Sequence, residues 1–336
     1  CGANMQREPF VLDTWHNSGA APYASLTNLE YQKTIPAAFL TEGIDQTRGW
    51  AYTLLIENVI LNHSPIAPYH SFLFQGHVFD ENGNKMSKSI GNVIDAKVLL
   101  TDSAVDLVRF YFMWKSSPIE ALNFSVKEMA SRPHQILSTL YFLHIYFEQN
   151  SSYDRFDKHV HSLKWAIEND SLGVAEIWLL SKLQKLIDTV TNSFEHCRFH
   201  DGAKAIDEYV INIVSQTYVP IIRNDIWEDN VESLKRRLVI YSVLGHTLFV
   251  LEKLLHPLAP FITEYLYQKC FKEKESIILE NWPKFDEYLV NWNVERSFNI
   301  VKEIISLANA ARTKGHLKRR WPVNKVLVGC LDPDFI

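Results

Sequence analysis

The sequence has few cysteines and lacks any long apolar run. The four cysteines among its 336 residues, Cys1, Cys197, Cys270 and Cys330, are widely scattered and form no CxxC pair. Such spacing argues against a zinc site, and sparse cysteine is typical of proteins from a reducing cytosol. A membrane-spanning helix needs roughly 18 consecutive apolar residues, and no such run occurs. We therefore expect a cytoplasmic protein without bound zinc or another metal and without a membrane partner.

A signal peptide and an initiator methionine are also lacking. The chain opens with CGANMQREP, where no basic segment precedes an apolar core, and it stops at LDPDFI within an apparent strand and turn. Both ends therefore predict a fragment of a longer protein.

The chain lacks the surplus of positive charge that nucleic-acid-binding proteins usually carry. Its formal net charge is −5 at pH 7. A local basic patch is nevertheless indicated near the C-terminus, because no acidic residue occurs between Glu303 and Asp332. This window contains Arg312, Lys314, Lys318, Arg319, Arg320 and Lys325.

Apolar residues make up 47% of the sequence and charged residues 22%, which is the composition of a globular protein. The length predicts two domains and the start of a third. Residues 1–125 mix strand, turn and helix patterns, which predicts an α/β sheet. Residues 126–290 carry apolar stripes at helical spacing joined by short loops, which predicts an antiparallel all-α bundle. Residues 291–336 would begin the third region.

Local patterns also predict individual elements. The basis is the position of apolar runs, helix-capping residues and turn residues. We expect a strand over 37–41, a helix from Gln46 to about Leu61, a hairpin turn at Asn82-Gly83, helix caps at Asp170 and Asp201, a helix end before Pro220 and a strand over 325–329.

The most specific motif is the pentapeptide Lys85-Met86-Ser87-Lys88-Ser89. Two ammonium groups three residues apart on a small loop can neutralise the charge of a triphosphate, although a solvated loop is the ordinary interpretation of a generic KxxK. The pentapeptide resembles the KMSKS signature of class I aminoacyl-tRNA synthetases. This resemblance implies a catalytic pair in which Lys88 is the main contact to pyrophosphate and Lys85 assists. It further implies ATP contacts at Lys88, Ser89 and Gly76, the last beside the adenine.

A second motif, Glu42–Trp50, reads EGIDQTRGW and is predicted where a strand ends and a helix begins. Open α/β sheets bind ligands at such points, and the alternative is a helix start capped by Asp45. The string resembles a segment of isoleucyl-tRNA synthetases. The resemblance implies that isoleucyl-adenylate contacts Glu42, Gly43, Asp45 and Gln46, and that Trp50 lines the side-chain pocket.

Two further segments resemble parts of the same catalytic domain. Residues 11–19 are similar to the family's VLDxWFDSG segment, with His16-Asn17 in place of Phe-Asp. The resemblance makes Trp15 the second aromatic wall of the amino-acid pocket, whereas a core tryptophan is the alternative. Residues 102–110 resemble the YGADALRF helix that follows KMSKS, where Asp106 and Arg109 would form a structural ion pair.

The helical half carries the remaining resemblance. Residues 258–264 are similar to the LAPFxxE turn of the anticodon-binding bundle, and residues 319–323 resemble the junction to the C-terminal region. Basic residues interleaved with tryptophan suit phosphate contact and base stacking, although each charge alone can be a solvated surface group. The predicted tRNA contacts are Arg223, Lys235, Arg236, Arg237, Arg312, Lys318, Arg319, Arg320 and Trp321.

Taken together, the motifs imply the C-terminal half of a Rossmann-type catalytic domain followed by an antiparallel anticodon-binding bundle. The implied reaction activates isoleucine with ATP and Mg²⁺ and transfers it to tRNA(Ile). The family's HIGH motif does not occur, so we expect this chain alone to be inactive, and monomeric. A valyl- or leucyl-type ligase and a non-catalytic tRNA-binding fragment are the alternatives.

Overall fold

A computed structural model of the protein describes residues 14–62, 66–318 and 320–329. The chain separates into two compact units. One is formed by segments 1–99 and 115–126, and the other by segments 100–114 and 127–336. The predicted division at residue 125 stays a prediction.

The first unit combines helices with two small parallel sheets. Strand β1 pairs with β2, so that Leu40 lies opposite Phe72, and β3 pairs with β4, so that Val78 lies opposite Leu122. Parallel strands require a crossover connection, and α4 lies in the one between β1 and β2. The bounds are α1 Thr14–Gly19, α2 Ala21–Ser25, α3 Asn28–Thr34, β1 Leu40–Gly43, α4 Trp50–Asn62, β2 Phe72–Gln75, β3 Val78–Phe79, α5 Ala96–Asp102 and β4 Leu122–Asn123.

A polar cluster attaches α2 and α3 to α4. Asn58 of α4 is 5% exposed, and its side-chain oxygen accepts hydrogen bonds from the hydroxyls of Tyr23 (2.7 Å) and Tyr31 (2.6 Å). The two tyrosine rings stack with their centroids 4.9 Å apart. Buried polar groups need such partners, so this cluster sets the positions of both short helices.

Three predicted features of the first unit are corrected in detail. The strand expected over 37–41 lies at β1, because Ala37 forms only an isolated bridge with Tyr69. The helix expected from Gln46 begins as a 3₁₀ turn over Ile44–Arg48 and continues as α4. The turn at Asn82-Gly83 forms with Gly83 at φ +81°. Instead of a hairpin, its two arms share one antiparallel bridge, between Phe79 and Lys85.

The second unit is helical. Its centre is α13, Leu234–Leu255, the one helix among the described residues that is long and apolar enough to cross a membrane; 78% of its apolar window is buried inside the protein, as in a core helix. The other helices are α6 Val105–Lys115, α7 Val126–Met129, α8 Arg132–Tyr153, α9 Leu163–Glu168, α10 Val174–Glu195, α11 Phe199–Glu208, α12 Val219–Trp227, α14 Pro260–Cys270 and α15 Trp292–Lys314.

Helix ends differ most from the sequence-based predictions. The N-cap of α10 is Gly173, whose N–H donates to the Glu176 carboxylate at 3.0 Å. Asp170 lies in the preceding turn at φ +45°. Asp201 lies inside α11 and not at its cap. Capping through a glycine N–H leaves no signal in the cap residue itself, which explains the displaced prediction.

The helix that was predicted to end before Pro220 continues past it. A π-helix over Tyr209–Tyr218 joins α11 to α12, and Pro220 occupies the first turn of α12. Proline is tolerated in a first turn because its missing N–H is not needed there. In addition, residues 325–329 adopt no strand.

Candidate active site

The segment Glu42–Trp50 lies where β1 passes into α4. The strand ends at Gly43, and the 3₁₀ turn Ile44–Arg48 follows it. Gly43 is the N-cap of this turn, and no side chain makes a capping hydrogen bond there. The alternative that Asp45 serves as a helix cap is therefore wrong, and the exposed carboxylate of Glu42 stands on the preceding strand.

Gln46 connects the acidic part of this segment to the helix. Its Nε2 donates to Asp45 Oδ2 at 3.0 Å, and its Oε1 accepts the N–H of Trp50 at 3.3 Å. The Asp45 carboxylate folds over Gly43, where an added Cβ would lie 2.7 Å from Asp45 Oδ1. The predicted residues 43, 45, 46 and 50 thus form one connected group.

Both predicted aromatic walls lie beside this group. Trp15 of α1 is 40% exposed, and its ring lies 3.5 Å from the point where Gly49 would carry a Cβ. Trp50 donates its indole N–H to the Ser18 carbonyl at 3.0 Å and meets the Phe72 ring edge-on, with centroids 6.1 Å apart. The Trp50 indole is therefore held by a hydrogen bond to α1, and the Trp15 ring is partly open to solvent.

His16, which departs from the family pattern, has a structural partner. Its Nδ1 lies 3.1 Å from Oε1 of Glu57, a residue of α4 that is only 9% exposed. This contact fixes α1 on α4 and so helps to position Trp15. A sequence-based interpretation misses it because the two residues are 41 positions apart.

The loop that carries the pentapeptide Lys85–Ser89, here called the lysine loop, forms a compact turn after β3. The side chains of Lys85 and Lys88 are exposed. Between them, Ser87 shares a 2.8 Å hydrogen bond with the Ser89 hydroxyl, and its carbonyl accepts the N–H of Gly91 at 3.1 Å. Gly91 adopts φ +78°, a conformation that glycine reaches at little cost. Because both side chains are exposed, both ammonium groups are accessible to a polyanion.

Asn92 and Asp80 close this loop and were not identified from the sequence. Asn92 Oδ1 accepts the N–H of Ser87 at 2.8 Å, while its Nδ2 donates to Asp80 Oδ2 at 2.9 Å and to the Lys85 carbonyl at 3.1 Å. The hydrogen bond from Asn92, followed by the backbone N–H of Asn84, lowers the pKa of the Asp80 carboxyl. The signal was the Gly-Asn pair directly after KMSKSI.

Gly76 lies at a close crossing of two backbone segments. Its N–H donates to the Pro118 carbonyl at 2.9 Å. A Cβ at this position would lie 2.1 Å from the Glu120 carbonyl oxygen and 2.8 Å from the Ala121 nitrogen. Packing within the first unit therefore requires glycine here, whatever its part in ATP binding.

Two of the arginines predicted to contact tRNA form ion pairs within the second unit. Arg236 makes hydrogen bonds of 2.7 and 3.0 Å to the fully buried Glu176, and one of 2.9 Å to Asp225. Arg237 is 4% exposed and pairs with Asp154 at 2.7 and 2.9 Å. The donors of both side chains already bond carboxylates of the protein, and the burial of Arg237 opposes its predicted contact with tRNA. The Arg236 side chain is 32% exposed, so for this residue the contact stays a prediction.

Three other predicted residues come together at the C-terminal end of α15, whose last turn contains Arg312. Arg312 Nη1 donates to the carbonyls of Trp321 (2.7 Å) and Lys318 (3.3 Å). The Lys318 ammonium lies 5.7 Å from the centroid of the Trp321 ring, which is 49% exposed. In this basic–aromatic cluster, Arg312, Lys318 and Trp321, one cation lies beside an accessible ring face and the other binds the backbone next to it.

The remaining predicted tRNA contacts are dispersed. The Arg223 guanidinium lies 5.7 Å from the centroid of the exposed Trp227 ring, and Lys235 and Arg320 are exposed. Arg319 lies outside the described residues.

Asp106 and Arg109 both bind the turn that resembles LAPFxxE. Asp106 accepts the N–H groups of Phe261 and Ile262 at the start of α14, and Arg109 donates to the Pro257 carbonyl at 3.1 Å. Their role is structural, as predicted, but it is exercised through this turn and not through an ion pair. In the described part of the chain, no group of three or more His, Cys, Asp or Glu side chains could hold a metal ion.

Comparisons with known proteins agree with the order of the two units. The family described as tRNA synthetases class I (I, L, M and V) matches residues 2–125. The family described as the anticodon-binding domain of tRNA ligase matches residues 176–327.

Solved structures share this fold. A LeuRS from Agrobacterium radiobacter K84, in a ternary complex with tRNA and LeuAMS, matches with a TM-score of 0.69 at 23% identity, covering 87% of this chain and 35% of that chain. A methionyl-tRNA synthetase from Mycobacterium tuberculosis, in complex with methionyl-adenylate, matches with a TM-score of 0.56 at 18% identity, covering 71% and 45%.

Curated relatives are similar along nearly the whole chain. Isoleucine–tRNA ligase of Pyrococcus furiosus is 34% identical over 98% of this chain, and that of Methanopyrus kandleri is 31% identical over 99%. The chain spans about a third of the length of these relatives, 31% and 32% respectively. The two family matches together cover most of the chain and show that it belongs to the class I aminoacyl-tRNA synthetases, and its similarity along nearly its whole length is to isoleucine–tRNA ligases.

Proposed function

We propose that the protein carrying this chain activates isoleucine with ATP, as its magnesium complex, and transfers the isoleucyl group to tRNA(Ile) in the cytoplasm. The observation that carries the proposal is the connected group at the end of β1, in which Gln46 bonds both Asp45 and the N–H of Trp50 beside Trp15. Carboxylates and a carbonyl oxygen suit an ammonium group and ribose hydroxyls, whereas the two indoles suit an aliphatic side chain.

We further infer that the two parallel strand pairs belong to the second half of a Rossmann-type catalytic domain. The crossover through α4 and the position of the connected group at the carboxyl end of β1 support this. The helical unit would be an antiparallel anticodon-binding bundle, and residues 291–336 would begin a C-terminal region that contacts tRNA. The basic–aromatic cluster supports this last assignment, since it offers phosphate contacts beside a stacking surface.

The chemistry proposed for the lysine loop is charge stabilisation. The isoleucine carboxylate oxygen attacks the α-phosphorus of ATP, the new C(O)O–P bond forms, and the bond from this phosphorus to the bridging oxygen of pyrophosphate breaks. Negative charge grows on the departing pyrophosphate, and Lys88 with Lys85 would neutralise it. Because neither lysine acts as an acid or base here, the contribution is electrostatic and positional.

Replacing Lys88 with alanine should lower kcat for isoleucine-dependent ATP–pyrophosphate exchange about 100-fold, the scale of losing one preorganised charge contact. The KM for isoleucine should change little, since the amino-acid pocket is built from other residues. Lys33→Ala, at another exposed lysine of the first unit, is the matched control.

Exchange by the full-length protein should be compared with isoleucine, valine and leucine as substrates. Selective exchange with isoleucine supports the proposal, whereas selectivity for valine or leucine would replace it with another ligase of the same family. Absence of exchange with all three would leave only tRNA binding. Undiminished exchange by Lys88→Ala would show that the loop does not stabilise the leaving group.

A further inference from the structure

We infer that the hydrogen bond between Asn92 and Asp80 sets the conformation of the lysine loop, which makes both residues positioning residues for the ATP-dependent step. This inference rests on the proposed function, because it concerns where Lys85 and Lys88 stand when ATP is bound. Neither residue is within the KMSKS pentapeptide, and neither needs to touch ATP.

Asn92 joins three separate points of the chain through one side chain. Its Oδ1 accepts the Ser87 N–H in the middle of the loop, and its Nδ2 donates to Lys85 O at the start of the loop and to Asp80 before it. The spacing between the two lysine backbones is thereby constrained, since one anchor lies at Lys85 and the other directly before Lys88. Few alternative loop shapes satisfy all three bonds together.

Asp80 is itself held next to a paired strand of the first unit. It directly follows β3, which pairs with β4. While Oδ2 accepts from Asn92, Oδ1 accepts the backbone N–H groups of Asn82 (3.0 Å) and Asn84 (2.7 Å). This carboxylate therefore ties the turn, the sheet and the loop together, in the manner of an Asx turn with an added long-range partner.

Hydrogen bonds restrain the loop, in which only Met86 and Ser87 are half-buried. Lys85, Lys88 and Ile90 are all exposed, with 69% of Ile90 accessible to solvent. A loop with little buried surface opens easily unless polar contacts restrain it. Loss of the Asn92 bonds should therefore release the lysines into many conformations, and ATP would then have to select the productive one.

The orientation of the Asn92 amide allows a test in which the amide of Asn92 and the carboxylate of Asp80 are exchanged. Asn92→Asp keeps an oxygen for the Ser87 N–H but places a second oxygen 2.9 Å from Asp80 Oδ2, so that two carboxylates repel each other. Asp80→Asn in the same protein restores a donor, because the new amide nitrogen can donate to the new carboxylate while its oxygen still accepts the backbone N–H groups. The donation to Lys85 O and the 3.4 Å hydrogen bond from Asn84 Nδ2 to Asp80 Oδ2 are then missing.

In the full-length protein, Asn92→Asp should reduce kcat/KM for ATP in pyrophosphate exchange about 100-fold, and the double variant should recover about tenfold of this, as a coupled pair does. The KM for isoleucine should stay within about twofold in every variant. Asn82→Ala is the matched control, since Asn82 is exposed and contributes its backbone N–H to Asp80. Equal activity of Asn92→Asp and Asn82→Ala, or a double variant no better than Asn92→Asp, would overturn the inference.

Trypsin provides a readout that does not depend on the reaction. Cleavage after Lys85 and Lys88 should be at least tenfold faster in Asn92→Asp than in the control, and slower again in the double variant, with the melting temperature unchanged, because local opening governs such cleavage. Unaltered cleavage would refute the hydrogen bond as a restraint. If the unmodified protein shows no isoleucine-dependent exchange, the proposed function fails, while the cleavage rates still decide whether Asn92 restrains the loop.

Discussion

Replacing Arg236 with alanine should lower the free energy of unfolding of the helical unit by about 3–5 kcal/mol, the cost of leaving a buried charge without its partner. Glu176 is fully buried, and two of the hydrogen bonds to its carboxylate come from Arg236. The others come from the Tyr218 hydroxyl (2.9 Å) and the Gly173 N–H (3.0 Å). Neither of these remaining donors carries a positive charge, so no charge would compensate the buried carboxylate.

Urea unfolding followed by far-ultraviolet circular dichroism would measure this loss. The adjacent Lys235→Ala is the matched control, because that side chain is exposed, and it should cost less than about 0.5 kcal/mol. Adding Glu176→Gln to Arg236→Ala should recover part of the stability, since an amide has no charge to leave unpaired. An Arg236→Ala protein as stable as Lys235→Ala would contradict the buried pair.

The same two variants separate structure from tRNA binding. If Lys235 contacts a phosphate, Lys235→Ala should weaken tRNA binding and reduce the slope of log K against log salt by about 1 without changing stability. Arg236→Ala should instead change binding only as far as it unfolds the helical unit. The two neighbours, similar in charge and sequence position, thus have opposite expected effects.

Sequence patterns predicted the elements whose cause is local. The apolar spacing of α13 is regular, and the observed helix spans Leu234–Leu255. The turn at Gly83 was likewise predicted from two adjacent residues, and its positive φ explains why. At these two places one segment contains both the signal and its physical reason, and the prediction and the structure agree. The helix caps and the strand over 325–329 were also predicted from local patterns, and there the structure differs.

Features that depend on distant residues could not be predicted in this way. Arg236 and Arg237 were interpreted as surface charges because their carboxylate partners, Glu176 and Asp154, lie 60 and 83 positions away. For the same reason, the pairing of His16 with Glu57 was unknown before the structure. Resemblance identified which motif residues to examine, whereas their connection through Gln46 and the closure of the loop by Asn92 required the fold.

Replacing Gly76 with alanine should destabilise the first unit by more than about 3 kcal/mol, at or beyond the usual cost of forcing extra atoms into a packed site. The new Cβ would meet the Glu120 carbonyl oxygen at 2.1 Å and its carbon at 2.3 Å. Both belong to the backbone, so no side-chain rotation can relieve the overlap. Relief requires the segment that contains Pro118 to move, which would break its 2.9 Å hydrogen bond with Gly76 and disturb the adjacent pairing of β3 with β4.

Gly43→Ala distinguishes this backbone effect from the mere addition of a methyl group. At Gly43 the nearest atom is Asp45 Oδ1 at 2.7 Å, the end of an exposed side chain that can rotate away, so we expect a loss below about 1 kcal/mol. Denaturant unfolding of both variants, followed by intrinsic tryptophan fluorescence, to which Trp15 and Trp50 of the first unit contribute, gives the comparison. If Gly76→Ala were as stable as Gly43→Ala and had lost only ATP binding, glycine would be required at this position by the nucleotide; a large loss of stability would mean that the crossing of two backbone segments requires it before any ligand binds.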